Sequence, residues 1–552
     1  MTRIPAFLAT VAISVVASTA FAGDVPARFS DGHDDPRTAY PALSHDGKGK
    51  GDSACTVDVL QHGFASFDPA RATLDASRQC PGPWSKVVLV LDGKVKGRQY
   101  DRIGDIEVGG VTVLRTSTPE PSQQGIGWRV EKDVSAYAPL FAASQPVEMH
   151  LGNVINATYT GVFEVRVALK FYPVTADQRA IASADAVVPL DHLHEDGRDT
   201  VGDFVLPGNA ERLVAEVYAT GSGGGCEEFW YYATPAKKDY FCRAEQGPYR
   251  EVQVLLDGKL AGIAAPYPHI YTGGWSNPYL WYAIPAPRAF DIHPIRYELT
   301  PFIGLVNDGK PHTLRLQVAG LSEGREGWKL LPNLHVWRDA GSARVRGELM
   351  AVDPGKVTLD NTMGDDSGGN VQTLQSRWQH RFAARGRVFT SHGVIETTAE
   401  REIDGRVGHR WTKIEDGDDR LDADWRDRDT IVRTRGGNKN IDTNDQRFGL
   451  VGSVGTRDVG DQPRLTSTIV IHDDTDRTST QGSKKRWQRS RDLFEGSASY
   501  FTKLKRDQRE ATASSRQIYR VEGNDGQCFQ RELASRNGRF VADKSANCKE
   551  TR

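Results

Sequence analysis

In GVFEVRVALKFYP (residues 161–173) the apolar Phe163, Val165, Val167, Leu169 and Phe171 alternate with Glu164, Arg166 and Lys170. A period of two puts one set of side chains on each face, so the run predicts a half-buried strand. REVQVLLDGKL repeats the pattern with Val252, Val254 and Leu256, and HTLRLQV with Leu314, Leu316 and Val318. Sustained helical periodicity is scarce, and the chain reads as all-β. Two passages match. LVLDGKVKG (residues 89–97) and VLLDGKLAG (residues 254–262) each set Asp-Gly between apolar runs, the signal of a tight hairpin. Each leads to an acidic-apolar run, VEKDVSAY or YELTPFIG, and then to an alternating strand, PVEMHLG or HTLRLQV. The parallel predicts two adjacent jelly-roll β-sandwiches, at about 46–175 and 185–340, with VTADQRAIASA as linker.

From residue 341 aromatics thin out and Asp/Arg pairs crowd in, as in IEDGDDRLDADWRDRDTIVRTR. Short alternating runs such as STIVIHDD and RQIYRVEG still predict antiparallel strands with charged faces, so residues 341–552 read as a third, mostly β region. Residues 23–50, polar and rich in Gly, Asp and Pro, read as a loosely held arm. A chain of 552 residues exceeds one core. A net charge of −2 without a basic stripe gives no field for nucleic acid.

Residues 1–22 have a short basic start, an apolar run and small residues at Ala20 and Ala22, the pattern of a cleavable signal peptide. A secreted or periplasmic protein is therefore expected, with no other stretch suited to crossing a membrane and no partner chain implied, hence a monomer. Export makes the six cysteines readable as three disulfides. Their spacing favours Cys55 with Cys80, Cys226 with Cys242, and Cys528 with Cys548.

The nucleotide and metalloprotease signals GxxxxGK[ST] and HExxH are missing. DHLHED (residues 191–196) sets His192 and His194 on one face of a strand, but without further ligands an exposed loop is the better reading. EDGDD and HDDTD read as solvated charged faces rather than calcium loops. No metal and no cofactor is expected. Three clusters carry more. Tyr100-Asp101-Arg102 places an acid at a strand entrance, although turn punctuation would give the same pattern. Cys226-Glu227-Glu228-Phe229-Trp230 puts two carboxylates between a disulfide-fixed loop and an indole, a setting that separates carboxyl pKa values. PHIYTGGWSNPYLWYAIP (residues 268–285) gathers Trp275, Tyr279 and Trp281 around Asn277, suited to stacking and bonding a sugar or, alternatively, to a core.

These stretches, with VVLVLDGKVKGRQYDRIGDIEVGGVTVLRTSTPEP, LGNVINATYTGVFEVRVALKFYP, GCEEFWYYATP and RYELTPFIGLVNDGKPHTL, resemble the peptide:N-glycanase A family over roughly residues 50–340. The resemblance implies an acid-active amidase that removes N-linked glycans from glycoproteins and glycopeptides. A more distant likeness to the PNGase F amidases implies two side-by-side jelly rolls with the active site in the cleft between them. There Tyr100-Asp101-Arg102-Ile103 matches the segment of one catalytic acid, and Gly225-Cys226-Glu227-Glu228-Phe229 that of the second, at Glu228. Asn153 stands near the place of a third acid, and no Arg precedes Gly274-Trp275 where that family has one.

The expected chemistry follows from the bond. An amide carbon is a poor electrophile, so a site must deliver water, stabilise the oxyanion and protonate the leaving nitrogen. Asp101 is expected to orient the water and Glu228 to donate a proton. Arg102 steadies charge, and Glu120 and Glu227 are reserve acids. Tyr100, Trp230, Trp275, Asn277 and Trp281 are expected to contact sugar. An endo-type glycosidase and a non-catalytic carbohydrate-binding protein are the competing readings.

Overall fold

The computed structural model describes residues 32–44, 54–221, 225–235, 242–324, 327–365, 368–412, 417–505 and 508–546. The expected signal peptide lies outside them. Nearly all regular structure is strand, in five antiparallel sheets.

Cys55–Phe64, Val162–Pro173, Trp84–Lys96 and Ile126–Asp133 form one sheet, in that spatial order. Ala70–Leu74, Gln145–Leu151, Ile103–Val108 and Val111–Ser117 form the sheet that faces it. Counted along the chain, the orders are 1-8-3-6 and 2-7-4-5, which is the jelly-roll winding. The second sandwich repeats it. Ala186–Val188, Trp328–Arg338, Ala210–Gly221 and Ile295–Glu298 make one sheet. Asp199–Phe204, His312–Ala319, Glu251–Leu256 and Lys259–Ala264 make the other, with Asp191–Asp196 added at its edge. The alternation read at 163–171 is real: those five apolar residues are buried between the sheets.

The two Asp-Gly pairs part company. Asp257-Gly258 is a two-residue turn, with φ of 47° and 77°, between paired strands. Asp92-Gly93 is not a turn; it lies inside the continuous strand Trp84–Lys96, where Gly93 pairs with Trp128 and Val165. The glycine serves close approach, since a Cβ there would fall 2.2 Å from the Trp128 indole. The same dipeptide thus has two uses that local sequence does not separate.

Residues beyond the sandwiches form one eleven-stranded sheet. Arg346–Asp353 and Thr358–Asp365 both pair with Val371–Thr390, and the rest is a meander through Gly393–Thr412, Asp419–Arg435, Asn438–Val459, Gln462–Gln481, Lys484–Phe501, Thr512–Gly523, Cys528–Arg536 and Arg539–Ala546. Its longest strand has 22 residues, about 75 Å at the usual rise. One face turns to solvent. The other lays Trp378, Trp425, Phe448, Ile469, Ile471 and Phe494 on the second sandwich in a common core.

Residues 32–44 are not a loose arm. The Ala39 N–H donates to Gln517 Oε1 (3.0 Å) and the Tyr40 hydroxyl to Asp492 (2.7 Å). Asp34 accepts from Arg539 (2.8 Å) and the Phe540 N–H (2.8 Å), while the Leu43 N–H donates to Glu131 (2.7 Å). With Arg37 N–H on Ala283 O (2.9 Å), the segment straps both sandwiches to the last strands of the long sheet. Disulfides join Cys55 to Cys80 and Cys226 to Cys242. Cys528 is also disulfide-bonded, and Cys548 lies outside the described residues.

Candidate active site

The seam between the sandwiches is built around Val111–Ser117, a strand buried along its whole length. Its polar groups are satisfied by the opposite sandwich. The Thr112 N–H donates to Asn333 Oδ1 (3.0 Å), and Asn333 Nδ2 donates back to Thr112 O (2.8 Å). Arg115 holds Asp105 (2.8 Å) and donates to Thr220 Oγ1 (2.9 Å), a buried charge paired as burial requires. Lys132 crosses the seam to Asp291 (2.9 Å).

Asp101 sits at the mouth of this seam, two residues before the strand Ile103–Val108. Its Oδ2 accepts from the Gly273 N–H (3.0 Å) and faces the Thr272 hydroxyl (3.2 Å), both from the second sandwich. Its own N–H donates to Glu120 Oε2 (3.2 Å). Burial pushes the Asp101 carboxyl above the ordinary carboxylate range; the bonds from Gly273 and Thr272 and the charge of Arg102 pull the other way. Both cross-seam bonds go to Oδ2, so Oδ1 is the oxygen with capacity for water. Arg102 donates to Gln99 Oε1 (2.7 Å).

Glu228 stands half-buried on the loop fixed by the Cys226–Cys242 disulfide. The buried Tyr271 links the two acids electrostatically: burial raises its hydroxyl pKa, and the charges of both Glu228 and Asp101 add to that rise. Tyr231 is raised by burial and then by Glu228. Asp101, Glu120, Thr272 and Gly273 therefore meet at the seam, and the charges of both Asp101 and Glu228 reach Tyr271. Thr272 and Gly273 lie in the aromatic stretch 268–285, where the tryptophans mask them; the Thr-Gly-Gly run is the signal that the sequence carries.

Other expected site residues lie elsewhere. Glu227 is fully buried and grips Arg250 through two bonds of 2.9 Å, with further bonds from the Ser322 N–H (2.7 Å) and the Trp328 indole (2.6 Å). Burial alone would raise its carboxyl, but Arg250 and these donors hold it below its ordinary value. It is a structural ion-pair member and not a reserve acid.

The expected sugar platform is also corrected. Trp230 meets Trp425 (5.4 Å between centroids), Trp281 stacks on Phe494 (5.0 Å), and Trp275 donates its indole N–H to Thr468 O (3.1 Å). Asn277 is fully buried, its side chain accepting from the Tyr279 N–H (3.3 Å) and near Ser467 (3.4 Å). These four residues pack beneath the long sheet. Asn153 is likewise buried, its amide spent on Phe64 O (2.8 Å) and Gly161 O (3.0 Å). Tyr100 stays exposed beside Asp101.

Two clusters among the described residues bring three possible metal ligands together: Asp105, Glu107 and His150, and Glu211, Asp339 and His392. In the first, Asp105 is already neutralised by Arg115. In the second, Asp339 accepts from the Ser391 N–H, the Ser391 hydroxyl and the Gly341 N–H. Neither adjoins Asp101. His192, at φ 51°, lies in an irregular edge strand facing solvent with His194. No helix among the described residues is long and apolar enough to cross a membrane.

A sequence model of the family described as peptide N-acetyl-beta-D-glucosaminyl asparaginase amidase A matches residues 41–354. The peptide-N4-(N-acetyl-beta-glucosaminyl)asparagine amidase A of Prunus dulcis is 33% identical over 402 residues, 67% of this chain and 69% of that one. Among solved structures, recombinant PNGase F is 13% identical with a TM-score of 0.32, over 51% of this chain and 96% of that one. PNGF-II is 15% identical with a TM-score of 0.34, over 52% and 66%.

Proposed function

The chain belongs to the peptide N-acetyl-beta-D-glucosaminyl asparaginase amidase A family, and from that membership we propose that it is an amidase cutting the side-chain amide of glycosylated Asn. The glycan leaves whole and Asp stays in the peptide. The observation that carries the assignment of the site is Asp101, held by Gly273 and Thr272 from the opposite sandwich.

Water held at Asp101 Oδ1 gives a proton to the carboxylate as its oxygen adds to the amide carbon. The C–N bond then breaks and the nitrogen takes a proton from Glu228, releasing a glycosylamine. Arg102 and the polar seam steady the charge passing through the carbonyl oxygen, where fixed donors stabilise a transition state without reorganising. Glu120 holds the Asp101 backbone and sets where the carboxylate points. Two acids serving opposite roles must hold one proton between them, so activity is expected in acid and to fall towards neutral pH as that proton is lost.

The test is a glycopeptide digested in oxygen-18 water at acidic pH, with both products weighed. Label in a new Asp, with the complete glycan released as the glycosylamine or as its hydrolysis product, supports the amidase. GlcNAc left on Asn makes the protein a glycosidase, and binding without cleavage makes it a lectin.

A further inference from the structure

The described residues expose few large apolar side chains, and four of them gather on the first sandwich beside Asp101. Phe67 is 73% exposed, Tyr100 53%, Val154 40% and Ile155 39%. They are physically continuous. The Phe67 ring lies over Gly152, where a Cβ would fall 2.5 Å from it. Gln99 Nε2 donates to Val154 O (2.9 Å), and Gln99 Oε1 accepts from the Tyr100 N–H (3.1 Å). Tyr159 packs against Tyr100 (5.4 Å between centroids), and the Arg98 guanidinium sits over the other ring of the pair (5.6 Å).

A sugar would need free donors and acceptors beside its stacking faces. Much of the side-chain amide capacity interleaved with this patch is engaged inside the protein. Gln99 uses both ends of its amide, Asn153 Nδ2 serves Phe64 O and Gly161 O, and Asn156 Oδ1 accepts from the Thr158 and Tyr159 N–H groups (2.8 and 2.9 Å). What remains is an apolar shelf, which suits amino-acid side chains and not hydroxyls. Its position beside Asp101, the acid that on this reading activates the attacking water, decides the occupant, because the peptide enters that point along with the glycan.

We infer that Phe67, Tyr100, Val154, Ile155 and Tyr159 form the surface that binds the peptide on either side of the glycosylated Asn, selecting apolar and aromatic flanking residues. The inference rests on the amidase reading above and adds what that reading leaves open, the peptide half of the substrate. Such binding is equal in ground and transition states, so it sets KM and not kcat.

The experiment compares one glycan on a Leu/Phe-flanked peptide, on a Ser/Gly-flanked peptide and on free asparagine, with wild type and a Phe67→Ser, Ile155→Ser double variant. Both substituted side chains face solvent, so the variant's melting temperature should match wild type. Wild type should show a KM roughly tenfold lower for the apolar-flanked peptide. The double variant should erase that preference at unchanged kcat and treat glycosyl-asparagine as wild type does. A wild-type KM indifferent to the flanks, or a preference that survives both substitutions, overturns the shelf. If no glycan is released, the amidase reading fails on its own. The shelf is then decided by anisotropy of the fluorescein-labelled, sugar-free Leu/Phe peptide: weaker binding by the variant upholds it, and equal binding ends it.

Discussion

The second sandwich has a neighbour on two sides, and the two contacts are made differently. Against the first sandwich it offers hydroxyls, amides and charges: Thr220 to Arg115, Asn333 to Thr112, Thr272 and Gly273 to Asp101. Against the long sheet it offers rings, Trp230, Trp275, Tyr279 and Trp281, with enclosed ion pairs such as Arg288–Asp473. The stretch 268–288 contributes to both surfaces, Thr272 and Gly273 to the first and Trp275, Tyr279, Trp281 and Arg288 to the second. A polar seam can keep a carboxylate solvated and ready to react. A ring-filled seam excludes water and holds the molecule together. Aromatic density alone does not tell which is which.

Variants can separate the two seams. The largest effect belongs to Asp101→Asn, which keeps shape and removes the base. Turnover should fall about 10²–10⁴-fold with unfolding unchanged, checked by initial rates and thermal melts; a variant keeping a tenth of wild-type activity would dissolve the assignment. Trp281→Ala should do the reverse. Emptying a buried indole costs about 3–5 kcal/mol, read in urea unfolding, while KM for a glycopeptide stays put. A raised KM in a fully stable variant would return Trp281 to the sugar site.

Asp492→Asn probes the ring-filled seam through pH. Burial lifts the Asp492 carboxyl to about 7, with Asp473's charge adding to it against the bonds from Tyr40 and Gln517. The folded protein therefore keeps a proton that the unfolded chain gives up between about pH 4 and 7, so this group's stabilisation is complete in acid and lost as pH rises through that window. The melting temperature should drop from pH 5 to 8 in wild type and drop less in the variant; identical slopes would remove Asp492 from the account. The smallest effect should come from Gly273→Ala. Its Cβ would sit 3.0 Å from Asp101 Oδ1, a displacement expected to lower kcat about tenfold with KM little changed. Wild-type kinetics there would mean that the carboxylate tolerates crowding and is not held for chemistry.

The sandwiches were legible because their buried faces are apolar at every second position, as at 163–171. The long sheet was legible as antiparallel strands with charged faces but not as a layer packed on the second sandwich, because its inward rows mix rings with Gln372, Ser376, His380, Arg401, Asp427 and Asp473, all buried. The charged groups among them are paired: Asp427 takes Arg401 (2.6 Å) and, from the second sandwich, the Ala265 N–H (2.9 Å), and His380 meets Glu251 (2.7 Å). Local hydropathy cannot see such pairing, so the strands were expected and their buried face was not. The turns were plainer: Gly436-Gly437 at φ 53° and 82°, and the glycines at 460 and 482, mark two-residue hairpins between very long strands. Glu227 and Glu228 show the finest limit. Local sequence does not separate these adjacent identical residues, and only the family likeness favoured Glu228; Glu227 is locked under Arg250 and Trp328, and Glu228 is half-buried.

The strap at 32–44 has a kinetic consequence. Its bond from Asp34 to Arg539 spans 505 residues, so the first described segment finds its seat only after the last hairpin exists. Contacts that distant in sequence form late and slowly. Until that hairpin stands, Asp34 has neither Arg539 nor the Phe540 N–H to dock on, and the two ends of the fold stay unjoined there.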